Sequence, residues 1–169
     1  MRFVTFEHAG TARVGICEGE HAVDLSEAAP DLPRDLVGLI RAGTSAFATA
    51  AQAVRTARPG ARHALDRLRL LPPIPNPGKI LCIGLNYRKH AEETGSPIPT
   101  YPVVFCRYNN TLVPHNGKMP RPSHSDQLDW EAELTVVIGK KCRNVPKDKA
   151  LSVIAGYACF NDGLSLIHI

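Results

Sequence analysis

The chain has no apolar run approaching the length needed to cross a bilayer, and its opening residues, MRFVTFEHAG, lack the long hydrophobic stretch of a secretory leader. No membrane partner is expected. Cysteine is sparse and scattered: Cys17, Cys82, Cys106, Cys142 and Cys159 are odd in number, widely spaced, and form no CxxC. That favours free thiols in a reducing compartment over a disulfide framework or a thiolate zinc site, and a cytoplasmic protein is expected. Aromatic residues make up only 6%, the basic residues never cluster with them, and the formal net charge is a mild +4. Nucleic acid is therefore not an expected partner, while small anionic molecules remain compatible. Internal repeats and low-complexity tracts are also missing. What is present, 169 residues with 44% hydrophobic and 21% charged content, is the balance of a globular protein of one domain, or of one domain with a small appendage.

Along the chain, residues 2–7, 12–17 and 22–25 read as short strands of a meander, with Glu18-Gly19-Glu20 as a turn. Leu32, Leu36, Leu39 and Ile40 then recur at helical spacing, and the alanine-rich residues 46–57 predict a helix. Residues 64–71 fit either a further helix or a closing strand. The run PPIPNPG, residues 72–78, holds four prolines in seven residues and excludes helix or central strand. It divides the sequence into a small N-terminal domain at 1–71, a stiff connector at 72–78, and a second unit at 79–169. In that unit, KILCIG at 79–84 predicts a buried strand and residues 86–94 a helical turn or two ending at Gly95. Strands are expected at 103–108 and 156–162, an irregular loop at 111–125, and a short helix at 150–154.

The second unit is organised around LDWEAELTVVIG, residues 128–139. As one strand it places Leu128, Trp130, Ala132, Leu134, Val136 and Ile138 on one face, an apolar strip suited to a core. The other face carries Asp129, Glu131 and Glu133, followed by Thr135 and Val137. Adjacent like charges on one face repel, so a positive group is expected there. A hard divalent cation on Glu131 and Glu133 is the simplest, because carboxylate oxygens select Mg2+, Mn2+ or Ca2+; the alternative is the solvated face of an edge strand.

Other groups join this pair. His90 and Glu93 are spaced i, i+3, neighbours on one helix face, where a carboxylate orients an imidazole and raises its basicity as a general base; a surface histidine beside acids is the plainer reading. Asp162 ends an apolar run and offers a third oxygen ligand, or a turn residue before Gly163. Arg107 would present a planar guanidinium to a substrate carboxylate, or be an ordinary strand residue. His115 and His124 lack mutual metal-ligand spacing and read as surface residues.

Taken in order, GLNYRKHAEE (84–93), YPVVFCRYNNTLVPH (101–115), LDWEAELTVVIGK (128–140) and IAGYACFNDG (154–163) resemble the fumarylacetoacetate hydrolase family. That family pairs an N-Y-x-x-H-x-x-E segment with a D-[YFW]-E-x-E-L strand and a later G-Y-x-x-x-N-D. The resemblance implies an α+β fold, mainly β, in which a mixed β-sandwich roll, here incomplete, follows a small N-terminal α/β domain, and it implies a homodimer. It puts the metal ligands at Glu131, Glu133 and Asp162, with Mg2+, or Mn2+ or Ca2+, as cofactor. It puts the water-activating pair at His90 and Glu93, and a substrate-anion role at Arg107, where many relatives carry lysine. The implied substrate is a small anionic 1,3-diketo or 2-oxo acid and the implied reaction hydrolysis of a C–C bond. Relatives also isomerise, decarboxylate or hydrate with the same site, so the fold does not fix the reaction. After Asn161-Asp162-Gly163 the family continues with a Ser-x-Arg-Asp pattern, whereas this sequence reads LSLIHI. A truncated or frame-altered member is expected on that ground, with exposed apolar faces, lower stability and much lower activity than a full-length relative.

Overall fold

The computed structural model describes residues 1–165. Strands β1 (Phe3–His8), β2 (Thr11–Glu18) and β3 (His21–Asp24) form the expected antiparallel meander. The helical region resolves into α1 (Leu25–Ala28), α2 (Leu36–Ala42) and α3 (Thr44–Thr56). Asp24 and Asp35 cap the first two of these, their side chains accepting from the backbone N–H of Ser26 and Gly38. The ambiguous segment after α3 closes as strands: β4 (Arg62–Ala64) and β5 (Arg69–Leu71) flank a 3₁₀ turn and complete a five-stranded sheet in the order β4-β3-β2-β1-β5. His63 of β4 lies 4.9 Å, ring to ring, from His8 of β1 although two strands intervene in the sheet order, so the sheet is rolled.

The core of this part follows from side-chain size. Ala46, Ala50 and Ala53 recur at i, i+4 and i+7 on α3, and this narrow stripe of methyl groups lets the helix approach Val14 and Ile16 of β2 closely. Leu25 and Leu39 complete the cluster, each at most 2% exposed. Arg13 ion-pairs at 2.7 Å with the fully buried Asp24. The proline run leads out of β5, and Thr5 on β1 donates to the Pro73 carbonyl at 2.7 Å.

Beyond the prolines come β6 (Ile80–Gly84), α4 (Arg88–Glu93), β7 (Val103–Arg107), β8 (Leu128–Asp129), β9 (Ala132–Ile138), β10 (Ile154–Asn161) and β11 (Leu164–Ser165). β6 pairs with β7, β9 with β10, and β8 with β11, all antiparallel. Mixed α+β architecture, mainly β in this half, is as expected. Three details differ. The single strand expected at 128–139 is interrupted at Trp130 and Glu131, where the Trp130 N–H turns to the Asp129 side chain at 2.8 Å instead of a ladder partner. The helix expected at 150–154 is the end of a 3₁₀ segment, Lys147–Val153. Residues 166–169, the end of the expected second unit, lie outside the described residues.

The third difference concerns burial. The strip expected to form a core is the open face: Trp130 is 70% exposed, Leu134 61% and Ile138 57%, while Glu133, Thr135 and Val137 are the more covered side of β9. The strand expected to be buried, β6, alternates, with Leu81 63% exposed. Alternation fixes which residues share a face, but burial needs a packing partner, and among the described residues the strip has none. The accessible surface, 12295 Å², measures the effect against about 8,200 Å² for a compact monomer of 18.4 kDa. The excess, about 4,000 Å², is on the scale of an obligate interface. The 169-residue protein is therefore expected to bind hydrophobic dyes and to self-associate in light scattering, and Leu134→Lys with Ile138→Lys should lower both signals. A monomer that leaves the dye dark would contradict this account of the surface.

Candidate active site

The site is set by one ladder. Asn161 pairs with Ala132 and Leu164 with Asp129, and the same register carried across the gap sets Asp162 directly opposite Glu131. The Asp162 N–H donates to the Glu131 carbonyl at 2.9 Å, and the Glu131 N–H donates to Oδ1 of Asn161 at 3.0 Å. Opposed residues of an antiparallel pair share a face, so Asp162, Glu131 and Glu133 lie on one side. At Gly163 the Met119 thioether packs into the space a Cβ would take, so a larger residue there would displace that flexible side chain.

Such opposition costs energy, and the titration behaviour records it. The Glu131 carboxyl is pushed up by its burial and then by Asp162, with smaller contributions from Glu133 and Asp129; His90 pulls the other way. Asp162 is buried, 4% exposed. Its Oδ1 meets Nε of Arg107 in a close ion pair outside hydrogen-bond alignment, and Nη2 of Arg107 donates to the Gly163 carbonyl at 3.0 Å. Cys82 on β6 faces the same pair: burial pushes its thiol up, Asp162 adds to that, and Arg107 opposes it.

The expected proton-transfer pair is less assembled. His90 and Glu93 share α4 as the spacing requires, and His90 is near enough to Glu131 to act on its charge. Both side chains are exposed, and no hydrogen bond or ion pair joins them among the described residues. The helix is ended by Gly95, at φ +65°, in a Schellman arrangement: Gly95 N–H bonds the Glu92 carbonyl and Ser96 N–H the Ala91 carbonyl. Just before α4, Leu85 takes φ +51°, a conformation unusual for a bulky residue, where the chain turns out of β6. His115 and His124 are exposed, as expected. The guanidinium of Arg107, expected to face a substrate anion, is turned onto Asp162 and Gly163 instead.

The three acids suit a cation by chemistry and less well by spacing. An all-oxygen set with uncompensated charge suits a hard divalent ion. The spacing is looser than a bound ion demands: among the described residues the set with ligand atoms within 4.8 Å of one another is Asp24, Glu27 and His63, in the N-terminal sheet, and not the three acids. That triad is already committed, since Arg13 bonds both Asp24 and Glu27 and the Ser26 N–H bonds Asp24.

Cys82, Asn161 and Asp129 were not singled out as site residues from the sequence. Asp129 stands on the face whose like charges the sequence groups with Glu131 and Glu133, but not among the expected ligands. The Asn161 role follows from the broken strand, and Cys82 depends on packing of β6 that no local pattern announces.

Two outcomes follow. Because Glu131 is raised in the fold, its contribution to stability is fully present below the ordinary glutamate range, about pH 4.3, and is lost as pH rises through the raised value. Glu131→Gln should therefore raise the Tm of the metal-free protein at neutral pH, with the gain shrinking as acid is added; a lower Tm at neutral pH would refute the crowding. Gly95→Ala, where space is open but φ is left-handed, should cost about 1 kcal/mol in chemical denaturation and fray α4.

Residues 79–165 match the fumarylacetoacetate (FAA) hydrolase C-terminal family. The Xenopus laevis protein named oxaloacetate tautomerase fahd2, mitochondrial, is 35% identical over 168 residues, covering 96% of this chain and 51% of that protein. An HpcE protein structure from Mycobacterium smegmatis superposes with a TM-score of 0.77 at 28% identity, over 98% of this chain and 56% of the other. Maleylpyruvate hydrolase from Sphingobium sp. SYK-6, solved with manganese(II) and pyruvate, superposes with a TM-score of 0.69 at 26% identity, over 97% of this chain and 59% of the other. The chain thus spans about half the length of the relatives it matches, and over that span it belongs to the fumarylacetoacetate hydrolase family.

Proposed function

We propose that the protein works as, or as part of, a divalent-metal-dependent enzyme on small 2-oxo acids, and that its reaction is hydrolysis of the C–C bond in a 1,3-diketo acid of the acylpyruvate type. The observation that carries this reading is the opposition of Asp162 and Glu131 on one ladder, with Glu133 on the same face and the Glu131 carboxyl raised by its burial and then by Asp162. Structural repulsion of this kind, at a fixed backbone and beside a histidine, is the signature of a site that awaits a cation. Glu131, Glu133 and Asp162 would hold Mg2+, Mn2+ or Ca2+, and the ion would supply Lewis-acid polarisation of the oxygens of a chelating substrate. The binding of manganese and pyruvate by the Sphingobium hydrolase supports both the ion and the substrate class.

His90 is the group that would take a proton from water, with Glu93 orienting the ring. The two are unbonded in this state, and such contacts commonly tighten only when substrate is present. The hydroxide adds to the carbonyl remote from the 2-oxo acid, the C–C bond breaks, and its electron pair becomes the enolate of pyruvate, which then takes up a proton. The products are a carboxylic acid and pyruvate. The likeness to oxaloacetate tautomerase favours a second reading, in which the same groups only move a proton between the enol and keto forms of a 2-oxo acid. The family's dimer is proposed for this protein as well, and the five free cysteines support a reducing, cytoplasmic setting.

Assays separate these. Pyruvate release from an acylpyruvate, followed with a coupled dehydrogenase, reports hydrolysis, and decay of enol absorbance of oxaloacetate reports tautomerisation. Either activity should require a divalent cation, and His90→Ala should lower it by about 10²- to 10⁴-fold. Turnover indifferent to chelator and to loss of His90 would overturn the proposal.

A further inference from the structure

The contacts of Arg107 carry an inference that rests on the metal reading above and deepens it. On β7, opposite Ile80 of β6, this residue has its side chain 19% exposed, and the Asp162 side chain beside it is 6% exposed. Nε lies against Oδ1 of Asp162 and Nη2 donates to the Gly163 carbonyl, so one edge of the guanidinium is spent on two consecutive residues at the end of β10. A bidentate grip on a substrate carboxylate through Nε and Nη2 would require release of Asp162, so only the Nη1–Nη2 end is left to face another anion. Asp162 needs this partner for a second reason. It is a carboxylate only 4% exposed, and a charge buried that deeply is costly without a partner held close to it.

We propose that Arg107 is a positioning residue: it fixes Asp162 by Oδ1 and by the adjoining carbonyl, and leaves Oδ2 as the oxygen that meets a divalent cation. The arrangement is that of a second layer around a metal site, in which a ligating carboxylate is itself held by a neighbour and loss of the neighbour weakens the ion. It runs opposite to the other role open to the same contact, in which the guanidinium stands in the place of the ion and competes with it. The two roles differ in sign.

Mn2+ titration of the 169-residue protein, followed by the electron paramagnetic resonance of free and bound ion, reads that sign. Wild type should bind saturably and Asp162→Asn should not. Arg107→Met should weaken Mn2+ about 10- to 100-fold. Arg107→Lys, which keeps the charge without the fork, should recover part of the loss, and the bound-ion line shape should change in both variants. If Arg107→Met fails to fold, as judged by far-ultraviolet circular dichroism, the lysine variant still decides, since it should bind Mn2+ more weakly than wild type. Unchanged or tighter Mn2+ binding in the Arg107 variants, with wild type binding normally, overturns the inference. So does a raised KM for a 2-oxo acid with no change in Mn2+ affinity, which would return Arg107 to the substrate. Wild type showing no saturable Mn2+ binding removes the metal reading together with this inference, a result distinct from either.

Discussion

The opposition of two carboxylates across an antiparallel ladder is the constraint from which the rest of the second half follows. Ladder register is discrete, and a slip by one residue would carry Glu131 and Glu133 to the other face. Here it is held by pairs on both sides of the interruption, Asn161 with Ala132 and Leu164 with Asp129, and by the backbone bond from Asp162 to Glu131. The acids are therefore placed by main-chain geometry, and their mutual repulsion cannot relax by sliding. It is relieved from outside, by Arg107 against Asp162 and in part by His90 near Glu131.

Much of this was legible before any coordinates. Alternation in LDWEAELTVVIG places Asp129, Glu131 and Glu133 together whatever the tertiary fold, and the structure keeps them so. The N-terminal meander, the alanine-striped helix and the Gly95 stop are also local patterns, read from spacing and from one residue able to adopt a left-handed φ. What was not legible has in common that it depends on a partner distant in sequence. Arg107 and Asp162 are 55 residues apart, Cys82 is farther still, and nothing in FCRYN or KILCIG encodes their meeting. The break at Trp130 and Glu131 was hidden because it leaves the face assignment untouched: two residues drop out of the pairing on each side, so the period is kept across it.

The burial of the apolar strip was misread for a related reason. Leu134, Val136 and Ile138 are as hydrophobic as the core of the N-terminal sheet, yet Val14 and Ile16 are buried there in a cluster with Leu25, Leu39 and the alanines of α3, while nothing among the described residues covers the strip. Hydrophobicity states a demand for cover, and the supply is a matter of topology.

The two sides of the candidate site consequently rest on different kinds of structure. The acids stand on a ladder with fixed register and a buried ion pair. The histidine stands on a six-residue helix whose first turn has no side-chain cap, and which is tied to the fold through the buried Ala91 and the Schellman bonds at its end. A helix that short has little stability of its own, so its orientation is set by what packs against it. The two sides are thus separable: a change in the ladder acts on the placement of the acids, and a change in α4 acts on the placement of His90.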